Sequence, residues 1–282
     1  MVSNSTGKTE VILRCPAKIN LMLKVGKRRS DGFHEILTVF QTISLYDELT
    51  IETEASSFCF SSNSSLAWDS RNTLYRVLRE FEEHYGRSIK IGLSLKKNIP
   101  VGGGLGGGSS DAAALLRYLG FAYGLSTETQ FKIACRVGSD VPFLLRGGTA
   151  IGRGRGEKLS FPGDIEDYSV DLAFPGIEVS TSMAYGLIDT SSYHKTTEPI
   201  NPEELIIALR RGDTAAIELL SVNDFETPVF DSFPQIATAY GELASRKAIV
   251  TRMTGSGSTL FALFSGNGGS YRFVTAKEMG FR

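Results

Sequence analysis

The strongest constraint in this chain is a run in which six of the seven residues from 102 to 108 are glycine. Glycine weakens helix and strand interiors, so such a run must be a loop, and its flanks decide its use. Before it, Ile89, Ile91, Leu93 and Leu95 alternate and predict a strand over Ile89–Leu95. After it, Ser109–Tyr123 is rich in Ala and Leu, opens with Ser and Asp, and predicts a buried helix. Strand, glycine loop, helix start is the order a phosphate site needs. Glycines let the backbone approach an anion and turn N–H groups toward it. The helix behind adds unpaired N–H groups and the positive end of its dipole. Pro100 stiffens the entry, and Ser109 and Ser110 offer hydroxyls to a phosphate oxygen or a metal-bound water. A hinge or packing turn is the alternative.

Two familiar phosphate motifs do not account for the run. Gly102, Gly104 and Gly107 satisfy GxGxxG, but the dinucleotide fingerprint needs its glycines directly at the end of a first strand. Here Lys96–Val101 intervene, and much of the chain precedes them. A Walker loop needs Gly-Lys-Ser/Thr, whereas this chain has Gly108-Ser109.

Composition sets the frame. Average usage of roughly 7% would give about 20 glycines; the chain has 30. A second concentration, at 147, 148, 152, 154 and 156, has no assigned chemistry and reads as a crossing between domains. A length of 282 residues, at roughly 150 per domain, suggests two domains. With 41% hydrophobic and 22% charged residues the chain is globular. A net charge of −1 argues against a nucleic-acid or membrane-surface partner. Cys15, Cys59 and Cys135 are odd in number and form no CxxC, so neither a disulfide framework nor a zinc site is expected. The opening residues lack the apolar core of a signal peptide. The most apolar stretch, 112–125, is interrupted by Arg117 and too short to span a bilayer. A cytoplasmic setting is expected.

Elsewhere, Val11–Leu13, Ile19–Val25, Ile36–Ile43, Glu48–Glu52 and Val170–Phe174 read as strands. Arg28–Gly32 reads as a turn and Ser61–Ser65 as a loop. Asn72–Tyr85, Ser126–Val137, Met183–Leu187, Pro202–Arg211 and Asp213–Leu220 read as helices. Gly138–Pro142 breaks the second of these. Apolar runs Ile249–Met253 and Thr259–Phe264 flank Gly255-Ser256-Gly257. His84 and His194, on a helical face and in a polar loop, receive no role. The expected class is α+β in two domains, 1–150 and 151–282.

Three segments in order carry a resemblance: Pro16-Ala17-Lys18-Ile19-Asn20-Leu21, then Pro100-Val101-Gly102-Gly103-Gly104-Leu105-Gly106-Gly107-Gly108-Ser109-Ser110, then Thr254-Gly255-Ser256-Gly257-Ser258-Thr259. The chain resembles the small-molecule kinases that include galactokinase, homoserine kinase, mevalonate kinase and phosphomevalonate kinase. With Asp31-Gly32-Phe33-His34-Glu35 and Gly138-Ser139-Asp140-Val141-Pro142-Phe143 added, it is similar to the branch acting on cytidine diphosphate-linked methylerythritol. The likeness runs from about residue 11 to about 265. It implies an ATP-binding N-terminal domain, a C-terminal domain of the same superfamily, and an active site in the cleft between them. It also implies transfer of the ATP γ-phosphate to the 2-hydroxyl of the methylerythritol moiety.

The resemblance assigns roles residue by residue. Lys18 and Asp140 match the catalytic pair: Asp140 takes the hydroxyl proton, while Lys18 keeps the carboxylate ionised and stabilises charge on the transferring group. Taken alone, they read as a solvated lysine and a helix cap. The glycine loop from Pro100 and Gly102 through Leu105 to Ser109 and Ser110 matches the ATP-phosphate segment. Asn72 matches an adenine-side position, although Thr73 departs from the Asn-Leu-Ile of relatives, and Asn72 equally suits an N-cap. Lys97 matches a nucleotide-contacting lysine. Asp111 is open between a metal contact and a helix-dipole role. Phe33 and His34 match the cytosine site, by stacking and by reading the base edge; relatives often carry Tyr at position 33. Asn20 fits a polar contact to substrate. Thr181 and Tyr185 match the other half of a cytosine sandwich, with Tyr185 opposite Phe33. Gly255-Ser256-Gly257 would support the phosphate loop.

No carboxylate cluster suggests a protein-built metal cage, so magnesium is expected to arrive with ATP. A monomer or weak homodimer is expected. The alternatives are another small-alcohol kinase of the superfamily, or a nucleotide-binding regulator without turnover. Phe33-His34 argues against the first, and Lys18 with Asp140 against the second.

Overall fold

The computed structural model describes residues 2–3, 9–190 and 200–280, so His194 lies outside the described residues. In chain order the elements are β1 (Val2–Ser3), β2 (Thr9–Arg28), β3 (His34–Glu52), β4 (Cys59–Ser62), α1 (Thr73–Tyr85), β5 (Gly92–Lys96), α2 (Gly107–Tyr123), α3 (Thr127–Val137) and α4 (Val141–Arg146). There follow β6 (Thr149–Gly154), β7 (Lys158–Ser160), β8 (Tyr168–Ala173), α5 (Thr181–Thr190), α6 (Pro202–Arg211), α7 (Thr214–Leu220), α8 (Glu226–Ser232), α9 (Pro234–Ala244), β9 (Val250–Met253), β10 (Leu260–Ser265) and β11 (Tyr271–Arg272). The mixed content is α+β. Among the described residues no helix is long and apolar enough to cross a membrane.

The chain forms two compact units that interleave along the sequence. One holds the chain up to Ala17, Leu45–Val101 and Gly106–Leu145; the other holds Lys18–Ser44, Gly102–Leu105 and everything from Arg146 on. Both long strands therefore change unit part-way, β2 after Ala17 and β3 after Ser44.

In the first unit, residues 48–52 of β3 pair antiparallel with β5, and β4 pairs parallel with β5. Helices α1, α2 and α3 pack together and bury Leu74, Val77 and Phe81 of α1, Leu115, Leu116 and Leu119 of α2, and Ile133 and Val137 of α3. The apolar spacing of α1 is what puts its buried side chains on one stripe. Asn72 caps α1 by accepting from the Leu74 N–H, and Ser126 caps α3 by accepting from Thr129.

In the second unit, residues 36–41 of β3 pair antiparallel with β6, which pairs with β7. A separate antiparallel sheet runs β11-β8-β10-β9, with α9 packed on β8, β9 and β10. Its core joins Leu23 and Val25 of β2 to Phe225, Val229, Ile236, Met253 and Leu260.

Four differences from the sequence reading have physical causes. Val11–Leu13 and Ile19–Val25 belong to one strand, because residues 15–23 are buried throughout and the period-two contrast disappears. The two stretches of β3 fuse for the same reason, Thr38–Ile43 being buried on both faces. The segment read as the loop Ser61–Ser65 begins in β4, a polar edge strand with alternately exposed residues. The glycine-rich 147–156 stretch, read as a crossing between domains, also contains the strand β6, and the change of unit falls just before it, between Leu145 and Arg146. Gly152 is needed there because a Cβ would come within 2.7 Å of the Phe40 ring.

Gly152→Val is therefore expected to cost about 1–3 kcal/mol of stability by overpacking, measured by urea unfolding. Gly241→Ala, in α9 with open space around it, should leave stability unchanged or raise it by up to about 1 kcal/mol.

Candidate active site

In the second unit, Lys18 is almost fully buried on β2, because its strand is covered on both faces. A buried ammonium needs polar partners. Its Nζ donates to Asn20 Oδ1 at 2.8 Å and lies 5.8 Å from the centroid of the Phe40 ring. Asn20 is held in turn. Its backbone N–H donates to Thr254 Oγ1 at 3.0 Å, and its amide donates to Thr38 Oγ1 at 2.8 Å. Lys18 and Asn20, both expected to act on substrate, are thus brought together.

The third motif lies against the first four residues of the glycine run. Gly104 has φ +77°, and a Cβ there would come within 2.4 Å of the Thr254 carbonyl oxygen, so no other residue fits. The Thr259 N–H donates to the Gly103 carbonyl at 3.3 Å, and the Lys18 N–H to the Leu105 carbonyl at 2.9 Å. The carboxylate of Glu178 lies beside Gly102.

In the first unit the run continues into α2. Gly106 is the N-cap, and Ser110 is buried in the first turn, its N–H donating to the Gly106 carbonyl. Ser109 Oγ reaches 3.9 Å from where a Gly138 Cβ would stand, so that hydroxyl lies beside the 138–140 segment. Asp140 is half-buried just before α4, its carbonyl accepting from the Leu144 N–H. Both ends of the Asn72 amide are engaged, Oδ1 with the Leu74 N–H at 3.0 Å and Nδ2 with the Ala67 carbonyl at 3.1 Å. Thr73, the departure from the relatives' pattern, donates to the Gly108 carbonyl at 2.6 Å and ties α1 to the start of α2.

Lys97 sits in a buried charge triad. Its Nζ donates to Asp111 Oδ2 at 2.9 Å and to Asp47 Oδ2. Asp47 is fully buried and also accepts from the N–H groups of Asn98 at 2.6 Å and Ile99 at 2.8 Å.

In the second unit, Phe33 is half exposed and Arg155 lies over its ring, 4.7 Å from the centroid. His34 is buried and stacks on Tyr185, centroids 5.1 Å apart and planes 22° apart. Its Nδ1 lies 3.2 Å from the Gly26 carbonyl and its Nε2 3.1 Å from the Asp189 carboxylate. Tyr185 therefore faces His34 here, where the sequence reading put it opposite Phe33. Thr181 lies at the start of α5 with its hydroxyl 3.4 Å from Ser256 Oγ of the third motif.

The chain matches two family models, "GHMP kinases N terminal domain" over residues 72–148 and "GHMP kinases C terminal" over residues 205–270. It is 45% identical over 275 residues to the 4-diphosphocytidyl-2-C-methyl-D-erythritol kinase of Thermotoga maritima, covering 97% of this chain and 99% of the relative. The chain belongs to the 4-diphosphocytidyl-2-C-methyl-D-erythritol kinase family. The enzyme of that name from Pseudothermotoga lettingae is 43% identical, over 93% of this chain and 94% of the relative. A crystal structure of 4-(cytidine 5'-diphospho)-2C-methyl-D-erythritol kinase superposes with a TM-score of 0.78 at 34% identity, covering 91% of each chain. Homoserine kinase from Cytophaga hutchinsonii, at 18% identity over 99% of this chain and 91% of its own, shares the fold with a TM-score of 0.67. ATP is the phosphate donor implied by the GHMP kinase family.

For a kinase of this family, the supports that the sequence did not flag are Thr38, Asp47 and Asn223. Asp47 holds Lys97 across fifty positions, and no local pattern marks it. Asn223 donates to the carbonyls of Met253 and Gly255.

Burial pushes Asp111 up from 3.8 to about 7; Lys97 pulls it down and Asp47 adds to the rise. Burial pulls Lys97 down, but Asp111 and Asp47 outweigh it and hold the ammonium above its usual range. The folded chain therefore keeps a proton on Asp111 at pH values where the unfolded chain has lost it. Its contribution to stability is complete below the unfolded value of 3.8 and is lost as pH rises through about 7. Glu226, raised from 4.5 to about 7 by burial against the pull of the Met253 N–H and Arg252, adds to the same slope. Urea unfolding across that window should show stability falling toward high pH. Asp111→Asn should remove part of the slope. Lys97→Met, which strands two buried carboxyls, should cost about 3–5 kcal/mol.

Proposed function

We propose that this chain transfers the γ-phosphate of ATP to the 2-hydroxyl of 4-(cytidine 5'-diphospho)-2-C-methyl-D-erythritol, in the non-mevalonate route to isoprenoid precursors. The observation that carries this reading is near full-length likeness to kinases of that name. Lys18, Asp140, Phe33 and His34 stand at the matching motif positions. Asp140 accepts the proton of the 2-hydroxyl as its oxygen bonds to the γ-phosphorus. The bond from that phosphorus to the ADP oxygen breaks, leaving ADP and the 2-phosphate. Lys18 offsets charge on the transferring group. The small contact to Asn20 Oδ1 and the Phe40 face orient its ammonium.

The phosphates lie along Gly102, Gly103, Gly104, Leu105, Gly106, Gly107 and Gly108, after Pro100, and take N–H groups of the loop and the hydroxyls of Ser109 and Ser110. Asn72 and Lys97 frame the nucleotide side. Because their side chains are already engaged, with Asn72 capping α1 and Lys97 in its triad, they act by fixing the walls of the site. Cytosine stacks on Phe33 and Tyr185, with His34 at its polar edge and Asn20 and Thr181 as polar contacts. Tyr185 would turn off His34 to admit the base.

Among the described residues no group of three or more His, Cys, Asp or Glu side chains could hold a metal ion. The hydroxyls of Ser109 and Ser110 at the start of α2 suit magnesium carried by the ATP phosphates, and the ion would neutralise phosphate charge. Residues 1–150 form the ATP-binding and catalytic domain, and 151–282 the C-terminal domain. The enzyme works in the cytoplasm as a monomer or weak homodimer on a small-molecule substrate, without nucleic acid.

ADP release measured with the cytidyl-methylerythritol substrate, mevalonate and homoserine should show turnover with the first alone. Binding of ATP with no turnover on any would sink the reading in favour of a regulator. Asp140→Asn should abolish transfer while ATP binding, measured by calorimetry, persists; near-normal turnover in that variant would remove Asp140 from the mechanism.

A further inference from the structure

The segment Asn223-Asp224-Phe225-Glu226, which runs from the α7–α8 connection into the first residue of α8, carries none of the motifs, yet it is bonded both to β2 and to the third motif. Toward β2, the Leu23 N–H donates to the Val222 carbonyl at 2.7 Å, and the Asp224 N–H donates back to the Leu23 carbonyl at 3.0 Å. Asp224 Oδ2 accepts from the Val25 N–H at 2.8 Å, and Oδ1 from Lys24 Nζ at 3.1 Å. Toward the third motif, the buried amide of Asn223 donates one hydrogen to the Met253 carbonyl at 2.7 Å and the other to the Gly255 carbonyl at 2.9 Å. Its Oδ1 accepts from the Phe225 N–H at 3.0 Å, and Glu226 Oε1 accepts from the Met253 N–H at 2.7 Å.

Every polar atom of the Asn223 amide is therefore used, and the two carbonyls it holds bracket Thr254. Thr254 is the residue whose hydroxyl accepts from the Asn20 N–H and whose carbonyl lies against Gly104. Gly255 itself lies beside the Lys18 ammonium, 3.5 Å from where its Cβ would stand. We propose that Asn223 is a positioning residue for phosphoryl transfer, clamping the 253–255 backbone so that Thr254 sets Asn20, and through it Lys18, in line with the glycine loop. It touches no reacting atom and acts through those carbonyls. The proposal rests on the kinase reading above.

Two variants test it in the full chain. Asn223→Asp keeps the shape but turns an oxygen toward the two carbonyls; Asn223→Ala removes both donors. Displacement of a reacting group by about 1 Å can cost about 10²-fold in rate, so kcat should fall by up to about that factor in both. KM for the alcohol substrate should stay unchanged, because Phe33 and His34 are untouched. Amide exchange at residues 253–257 and 103–105 should quicken. Asp213→Ala, which loses only the cap of α7, serves as the stability control. It should lower Tm comparably while leaving kcat intact.

Retention of kcat within about twofold in both Asn223 variants would overturn the proposal. So would an equal loss of kcat in Asp213→Ala at matched Tm, since the effect would then be merely structural. Should the wild type itself fail to turn over the substrate, the kinase reading falls, and amide exchange still judges the clamp. Slower exchange at 253–257 and 103–105 on adding ATP to the wild type, lost in both variants, would uphold the clamp. Equal protection in all three proteins would overturn it.

Discussion

The second unit depends on one close approach, that of Gly104 to the carbonyl of Thr254. A Cβ at residue 104 would stand 2.4 Å from that oxygen, on a backbone whose φ is already left-handed. The constraint is steric before it is chemical. It lets residues 103–105 and 254–259, which are about 150 positions apart in the sequence, lie together and share a hydrogen bond. The Gly103 carbonyl accepts from Thr259, and the Leu105 carbonyl from Lys18. A glycine-rich loop is floppy in isolation. Fixed along one edge in this way, it becomes a rigid surface of amide groups, which is the condition under which backbone dipoles stabilise developing charge at no cost of reorganisation.

The first unit solves a different problem, that of holding the start of α2 in place. It does so with charge. Asp47, Lys97 and Asp111 are buried together, and each is costly alone. Asp47 also takes two backbone N–H groups at Asn98 and Ile99, where the chain leaves β5 for the glycine run. The triad is thus welded to the loop's entry and, through Asp111, to the first turns of α2. A hydrophobic trio of the same volume would give comparable stability but would not select one arrangement of the entry peptide. The raised position of Asp111 is the electrostatic trace of that choice: burial pushes it up, Lys97 pulls it back and Asp47 adds to the rise.

Much of the fold around the glycine run was legible because its signals are local. Glycine excess located the loop, alternation located β5, and Ala-Leu content with an opening Ser-Asp located α2, although the helix begins two residues earlier, at Gly107. The alternative weighed for Asn72, that of an N-cap, is what its side chain does. Illegible were the residues that work at a distance. Asp47 falls between the segments Ile36–Ile43 and Glu48–Glu52 and draws no notice until β3 and β5 pair. The glycines of 147–156 have no evident purpose in the sequence until Phe40 is seen to press on Gly152. β2 read as two strands because burial on both faces erases the alternation that sequence reading relies on, and Pro16 interrupts it.

That division has a physical basis. Groups that meet a ligand must be presented together, and a short turn does this most cheaply in conformational entropy, so reactive residues cluster in sequence and can be recognised. Groups that hold those turns in place need only the right donor at the right point in space. Thr254, Asn20 and Thr38 show the consequence: three small polar side chains from three segments are joined into one buried chain of hydrogen bonds, from the Thr254 hydroxyl to Asn20 Oδ1 and from the Asn20 amide to Thr38, that ends at the Met22 carbonyl. Each is fully satisfied only when the others are in place, so the strand that carries Lys18 has one low-energy arrangement. A buried polar chain of this kind adds less to stability than to uniqueness, and uniqueness is what holds the buried Lys18 ammonium against Asn20 Oδ1.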